Sequence, residues 1–396
     1  MSADLPAPLH AGVLPSGVRA RLVPGVNGMA VHVLEAGFEP LAGNQKRPCI
    51  LLLHGFPELA YSWRKLMLPL ADAGYHVIAP DQRGYGRTTG WDGRYDGDVA
   101  SFRMPALVRD ALALVAAFGY HDVAAVVGHD FGSPVAAWCA LIRPDVFRSV
   151  VLMSAPFAGP PELPFGTAAG APQPEPAHAA MARALAGLAR LTPARKHYQW
   201  YYATAQANRD MWHCAQGVHA FLRAYYHCKS GDWEQNRPHP LQAWTATELA
   251  RLPTYYVMEN DLDMAQTVAP HMPSSEQVAA CHWLTENELA VYSTEYARTG
   301  FQGGLQWYRC ATDARSLVEL QLFAGRTIDV PACFIAGQSD WGVFQSPGAF
   351  EKMRAVACTR LLGCHLVPGA GHWVQQERAA EVDRLLQGFL QAARRA

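Results

Sequence analysis

The sequence predicts an α/β fold: a mostly parallel central sheet covered by helices on both faces, with a helical layer inserted into it. Three observations predict it. Short apolar runs alternate with helix-periodic segments in two separate parts of the chain, and a helical, aromatic-rich stretch divides them. The 396 residues are also half hydrophobic and only 17% charged, enough to bury a large core. The division expected is a core built from 1–156 and 311–396, with 157–310 forming the helical insertion.

The elements follow in order. The opening segment, MSADLPAPLHAGVLPSGVRARL, has no uninterrupted apolar stretch behind a basic start, and no later run reaches the ~18 apolar residues of a membrane span. A soluble, cytoplasmic protein is therefore expected. MAVHVLEAG (29–37), CILLLHG (49–55), HVIAPD (76–81), VAAVVGH (123–129) and RSVVLMSAP (148–156) read as strands, with a helix over Met104 to Phe118. The Pro/Gly/Ala-rich stretch after Pro156 reads as a connector. From Ala177 to about Arg309 the text is helical and not strand-like, except that Trp233 to Cys281 is Pro-interrupted and reads as an extended loop or a local decoration. VPACFIAGQSD (330–340) and HLVPGAGH (365–372) supply the last two strands, and an amphipathic helix from about Glu377 to Ala393 ends the chain.

Composition excludes several function classes. A formal net charge of −1 with no Lys/Arg run gives nucleic acid or an anionic membrane no electrostatic reason to bind. Nine cysteines, scattered singly without C-x-x-C pairs, point to neither a disulfide framework nor a zinc site. They read as small core hydrophobes. Neither metal nor cofactor is expected.

The chemistry is concentrated where strands end. In VVGHDFGSPVAAWCA (126–140) a strand runs into Gly128-His129-Asp130-Phe131-Gly132 and then a helix, the strand–nucleophile–helix turn of a nucleophile elbow. Asp130 holds the position usually taken by serine, and no G-x-S-x-G occurs in the chain. The plainer alternative is an aspartate capping the helix that follows. Asp340 and His372 both fall just after strands, in the order nucleophile, acid, histidine, with Ser154 standing where an alternative acid would sit. Taken singly, Asp340 could be a turn former and His372 a helix-entry residue. HGFPE places the backbone N–H of Phe56 beside the elbow, where with the N–H of Phe131 it can form an oxyanion hole. DQRGYGRT (81–88) reads as a structural turn.

HGFPE (54–58), DQRGYG (81–86), GHDFG (128–132) and GHW (371–373) in this order resemble the α/β-hydrolase-fold epoxide hydrolases of the soluble type. HYQWYY and GFQGGLQWYRC resemble that family's two tyrosine-bearing segments. The resemblance implies that Tyr198 and Tyr308 are acids for an epoxide oxygen, and that the Phe56–Pro57 bond is cis. An epoxide carbon is a saturated electrophile that a carboxylate can open by displacement, leaving an ester on Asp130. Phenols with pKa about 10 are acids matched to the departing alkoxide. His372, oriented by Asp340, would then activate water.

The partner implied is a small-molecule epoxide. The crowding of Trp200, Tyr201, Tyr202, Trp212, Phe221, Tyr225 and Tyr226 favours a lipophilic one, unless these rings form the insertion's own core. Trp200, Tyr201, Tyr202, Pro57 and Trp373 are expected at the substrate. Two departures stand out: 233–281 exceeds the short loop expected, and the N-terminal segment has no counterpart. A haloalkane or haloacid dehalogenase shares the aspartate nucleophile, but the haloalkane type follows it with tryptophan, where this chain has Phe131. A non-catalytic ligand-binding protein would not need every element intact.

Overall fold

The computed structural model describes residues 6–41, 43, 45–163 and 177–395. The connector expected after Pro156 lies largely outside the described residues.

Eight strands form one sheet in the order β1-β2-β4-β3-β5-β6-β9-β10. The hairpin β1 (Arg19–Val26) and β2 (Met29–Ala36) is antiparallel, and β2 joins β4 (His76–Pro80) antiparallel. From β4 onward β3 (Cys49–Leu53), β5 (Ala125–His129), β6 (Val150–Met153), β9 (Ala332–Gly337) and β10 (Leu361–Val367) run parallel. Burial of the central strands on both faces is why they read as continuous apolar runs. Along β3, Ile50 and Leu52 face α1 (Arg64–Asp72) and the C-terminal helix α16 (Ala379–Arg395), whereas Cys49, Leu51 and Leu53 face α2 (Met104–Ala117) and α3 (Gly132–Ile142). That split is the two-residue period of a strand.

β1 is a strand that the apolar pattern did not announce. Its sequence RARLVPGV carries two arginines and Pro24, and only Val23 and Val26 are buried because it lies at the sheet edge, where both features are tolerated.

Between β6 and β9 lie α4 (Ala177–Leu188), β7 (Arg195–His197), α5 (Tyr198–Tyr202), α6 (Gln206–Trp212), α7 (Gly217–Lys229), α8 (Ala246–Leu249), β8 (Val257–Glu259), α9 (Met264–Val268), α10 (Ser275–Ala280), α11 (Glu286–Thr299), α12 (Gln302–Thr312) and α13 (Ala314–Val318). β7 and β8 pair antiparallel, which corrects the expectation that this region holds no strands. Three residues apiece are too few to show a period. The stretch 233–281 contains three short helices, two of them opened by capping boxes at Asp263/Gln266 and Ser274/Gln277. The short helices α14 (Ala349–Lys352) and α15 (Val374–Glu377) complete the chain order.

The insertion is fastened to the sheet-bearing part by buried polar contacts. Tyr226 donates to the Pro57 carbonyl at 3.0 Å, Tyr296 to the Glu58 carbonyl at 3.1 Å, and the Trp307 indole to the Arg83 carbonyl at 2.9 Å. Arg64 pairs with Glu288 at 2.8 Å and Arg87 with Glu295 at 2.6 Å. At Gly303 the α12 backbone lies against Gly84 so closely that a Cβ would collide with the Gly84 carbonyl. Gly303→Ala should therefore lower stability by about 2 kcal/mol or more, while Gly388→Ala, in an open position on α16, should raise it by about 0.5–1 kcal/mol. Denaturant unfolding of the two variants checks both signs.

Candidate active site

The chain turns at Asp130 with φ of 51°, in the left-handed region that costs an L-residue energy. The turn is this tight because β5 and α3 nearly touch: a Cβ at Gly128 would strike the Gly132 carbonyl, and one at Gly132 would strike the Leu53 carbonyl. The strain lifts the Asp130 carboxylate above the end of β5. Its Oδ1 accepts the Phe56 N–H at 2.8 Å, next to the cis Phe56–Pro57 bond, and its Oδ2 lies 3.2 Å from His372 Nε2. On the far side, His372 Nδ1 is 3.0 Å from Asp340 Oδ1, which also accepts the Gly342 N–H at 2.7 Å. Phe131 is the N-cap of α3, and its N–H belongs to the first turn, whose donors have no intrahelical acceptor.

Charge follows geometry. Burial works to raise the Asp130 carboxyl, but His372, with Lys229 and His129 behind it, holds it well below the usual carboxylate range. Burial and the Lys229 ammonium press His372 down, and the Asp340 and Asp130 carboxylates outweigh them, leaving the imidazole above its ordinary value. Asp340 is likewise depressed, its burial overcome by His372.

Ser154, also at positive φ, is not the acid but donates to the His372 carbonyl at 3.0 Å. The same carbonyl lies 2.6 Å from His129 Nε2, while His129 Nδ1 is 2.6 Å from Glu58. Glu58 also accepts from Gln375 at 2.8 Å and Gln376 at 3.2 Å. Glu377 takes the N–H groups of Gly371 and Trp373, both at 2.9 Å, and that of Gly231 at 2.7 Å. The loop carrying His372 is thus held from both sides. Ser154 was marked in the sequence only as the place of an alternative acid, and neither Glu58 nor Glu377 was singled out, although Glu58 closes HGFPE and Glu377 lies five residues past His372.

Asp130 opens onto a cavity of about 280 Å³ whose wall includes Tyr198 and Tyr308, with ring centres 5.9 Å apart. Burial first, and the Asp130 charge second, push both phenols far above their ordinary pKa, so both keep their protons. Tyr198 donates to Gln345 at 3.0 Å and accepts from Gln199 at 3.2 Å. The rest of the wall is largely apolar, including Phe102, Met104, Leu107, Leu317 and Leu320.

The other residues expected at the substrate do not line this cavity. Trp200 and Tyr201 line a separate groove on the insertion, where Tyr201 donates to Asp210 at 3.0 Å. Tyr202 is fully buried, its ring 5.0 Å from that of Tyr308 and its hydroxyl 3.3 Å from that of Tyr225. Trp373 is buried beneath His372, donating to the Tyr226 carbonyl at 2.9 Å. Pro57 is buried beside it with its carbonyl taken by Tyr226, and neither lines the cavity. The physical reason is that Tyr202 and Trp373 supply the insertion's own core and its seam with the sheet, and Trp200 and Tyr201 face the other groove, while the cavity wall draws on α2, α5, α12 and α13. Among the described residues no group of three His, Cys, Asp or Glu side chains could hold a metal ion, and all nine cysteines are free. No described helix is long and apolar enough to cross a membrane.

Residues 48–379 match the family model described as alpha/beta hydrolase fold. Epoxide hydrolase B of Mycobacterium tuberculosis is 33% identical over 361 residues, 88% of this chain and 92% of that protein. Epoxide hydrolase A of the same organism is 32% identical over 92% of this chain and 95% of its own length. Among solved structures, an epoxide hydrolase from an endophytic Streptomyces superposes with a TM-score of 0.75 at 32% identity, covering 96% of this chain and 98% of its own. Potato epoxide hydrolase I gives 0.67 at 26% identity, over 95% and 99%.

Glu377 provides a test of how the histidine loop is held. Burial lifts its carboxyl from 4.5 to about 7, against three N–H donors that favour the ionised form. The folded chain then keeps a proton that the unfolded chain has already lost. Its contribution to stability is full below about pH 4.5 and is lost as pH rises through about 7. Glu377→Gln should flatten that slope and, by setting an amide NH₂ against an N–H donor, cost about 1–3 kcal/mol. Urea unfolding across pH 4 to 8 measures both effects.

Proposed function

The chain belongs to the epoxide hydrolases of the α/β-hydrolase fold, and on that footing we propose that it converts a lipophilic epoxide and water to a vicinal diol through an alkyl ester on Asp130. The observation that carries the reading is the position of Asp130: an ionised carboxylate at a strained turn, aimed into an apolar cavity that also presents two protonated tyrosines.

Asp130 attacks an epoxide carbon from the side opposite the carbon–oxygen bond. That bond breaks, and the departing oxygen takes a proton or hydrogen bonds from Tyr198 and Tyr308. His372 then accepts a proton from water, whose oxygen adds to the ester carbonyl. The N–H groups of Phe56 and Phe131 meet the oxyanion, and Asp340 steadies the imidazolium. Collapse expels the ester oxygen, which takes the proton held by His372, while the proton left on the carboxyl replaces the one given by the tyrosines, so the diol leaves and the Asp130 carboxylate is restored. The apolar wall favours a lipophilic substrate, since desolvating a charged one there would go uncompensated. The dehalogenase alternative is weaker because the Trp307 indole on this wall is already donated to the Arg83 carbonyl, leaving Phe131 beside the nucleophile with no N–H on its side chain for a halide.

Replacing either tyrosine with Phe should slow ester formation about 10²-fold, and replacing both should nearly abolish it, because one donor remains after a single change. Rapid-quench kinetics with a styrene-type epoxide checks this, and near wild-type turnover by the double variant would remove the tyrosines from the mechanism. A single turnover in ¹⁸O-water should yield unlabelled diol, with label in the peptide containing Asp130, and His372→Gln should accumulate a protein adduct of substrate mass. Fully labelled first diol with no adduct would mean that Asp130 activates water instead of bonding to carbon.

A further inference from the structure

Lys229, the last residue of α7, has no part in the scheme above, yet it is only 4% exposed. No carboxylate among the described residues forms a salt bridge with it. Its ammonium instead sits among four aromatic rings: Nζ is 4.9 Å from the centre of Tyr256, 5.2 Å from Tyr225, 5.6 Å from Trp373 and 5.9 Å from Tyr255. Burial pushes all three phenols well above their ordinary pKa, so the cage is neutral and offers only its ring faces to the cation. Burial presses the Lys229 ammonium below its ordinary pKa, with the Asp130 and Asp340 charges opposing that shift, and a methionine would occupy similar space without the cost of a buried cation.

The cage is joined to the catalytic residues. Trp373 also packs edge-on against His372, ring centres 4.6 Å apart, and Tyr256 packs against Tyr198 at 5.2 Å. The Lys229 carbonyl accepts the backbone N–H of His372 at 2.8 Å. The charged or titratable groups facing His372 are Asp130 at the elbow, Asp340 after β9, Lys229 from α7, and His129, whose ring lies 5.0 Å away and is paired with Glu58. Those facing Lys229 are Asp130, Asp340, Glu58, Cys228 and the three cage tyrosines.

The balance at His372 changes during the reaction. In the free enzyme two carboxylates outweigh Lys229 and favour imidazolium. Esterification removes the Asp130 charge, leaving Asp340 opposed by Lys229. We propose that Lys229 acts through His372 as a positioning residue of the hydrolytic half-reaction, its caged ammonium holding the imidazole neutral once Asp130 is esterified. This rests on the covalent route proposed above. No proton passes through Lys229; it makes the base available at a pH where Asp340 alone would keep it protonated.

The test is ester decay in single turnovers of styrene oxide, followed by rapid quench from pH 5 to 9 in the whole enzyme. In Lys229→Met the acid limb of the decay rate should move up by about one pH unit, so that decay on that limb slows about tenfold while the high-pH plateau stays within about twofold of wild type. Lys229→Arg should restore the wild-type limb. A loss of rate equal at every pH, or an unmoved limb in a folded Lys229→Met enzyme, overturns the proposal. Should Lys229→Met fail to fold, Lys229→Gln replaces it: its limb must move up while that of Lys229→Arg does not, and equal limbs overturn the proposal. Absence of any ester in the wild type would overturn the underlying covalent route, a result distinct from an ester whose decay ignores Lys229.

Discussion

Close backbone packing at the crossing of β5 and α3 is the constraint on which the rest of the site depends. Gly128 and Gly132 leave no room for a side chain, and only under that condition can Asp130 be held at a φ of 51° with its carboxylate raised toward Phe56 and His372. A turn of this kind stores strain that the surrounding sheet must supply. The strands on either side, β3 and β6, do so through parallel pairing along β5 from Ala125 to His129. They also deliver Phe56 and Ser154 to its edge. The position of Asp130 is therefore a property of the sheet's centre, its most buried part.

The second theme is buried charge. Asp130, Asp340, Glu58 and Lys229 are all withdrawn from water, with His129 and His372 among them. Among the described residues each of these carboxylates has an imidazole partner, with Asp340 Oδ2 left without a hydrogen bond, whereas Lys229 is met by ring faces and forms no salt bridge. Such a cluster is strongly coupled, so a change of charge at one member alters its neighbours' protonation. Turning the Asp130 carboxylate into an ester is a change of that kind. The insertion contributes to this balance as well as to the cavity, because α7 carries Lys229 and its carbonyl fixes His372.

Legibility from sequence differed from one element to the next. The five parallel strands β3, β4, β5, β6 and β9 were readable because burial on both faces leaves an unbroken apolar run, whereas β10, at the sheet edge with only Val367 buried, was marked only by its C-terminal end. β1 was not, since an edge strand with one exposed face can carry Arg19, Arg21 and Pro24. β7 and β8 were too short for any period to appear. Asp130, His372 and Asp340 could be marked because each stands at the end of a recognisable strand, and the fold brings them within 3.2 Å of one another in series. Trp200, Tyr201, Tyr202 and Trp373 could not be sorted in this way. An aromatic ring in a core and one on a cavity wall look the same in a string of letters.

The sequence by itself determined most of the segments that build the sheet, the residue at the elbow, and the chemistry that a carboxylate there permits. These depend on local pattern: apolar runs, glycine spacing, and the residue following each run. Tertiary structure alone decided that Met104 and Leu317 wall the cavity beside Tyr198, Trp307 and Tyr308 while Trp200, Tyr201, Tyr202 and Trp373 do not, that Glu377 clamps the loop of His372, and that Lys229 lies beside the site. Residues 104, 229, 317 and 377 are far apart in the chain. Their proximity follows from how the insertion folds back over the C-terminal ends of the strands, a contact for which no local pattern of the sequence provides a signal.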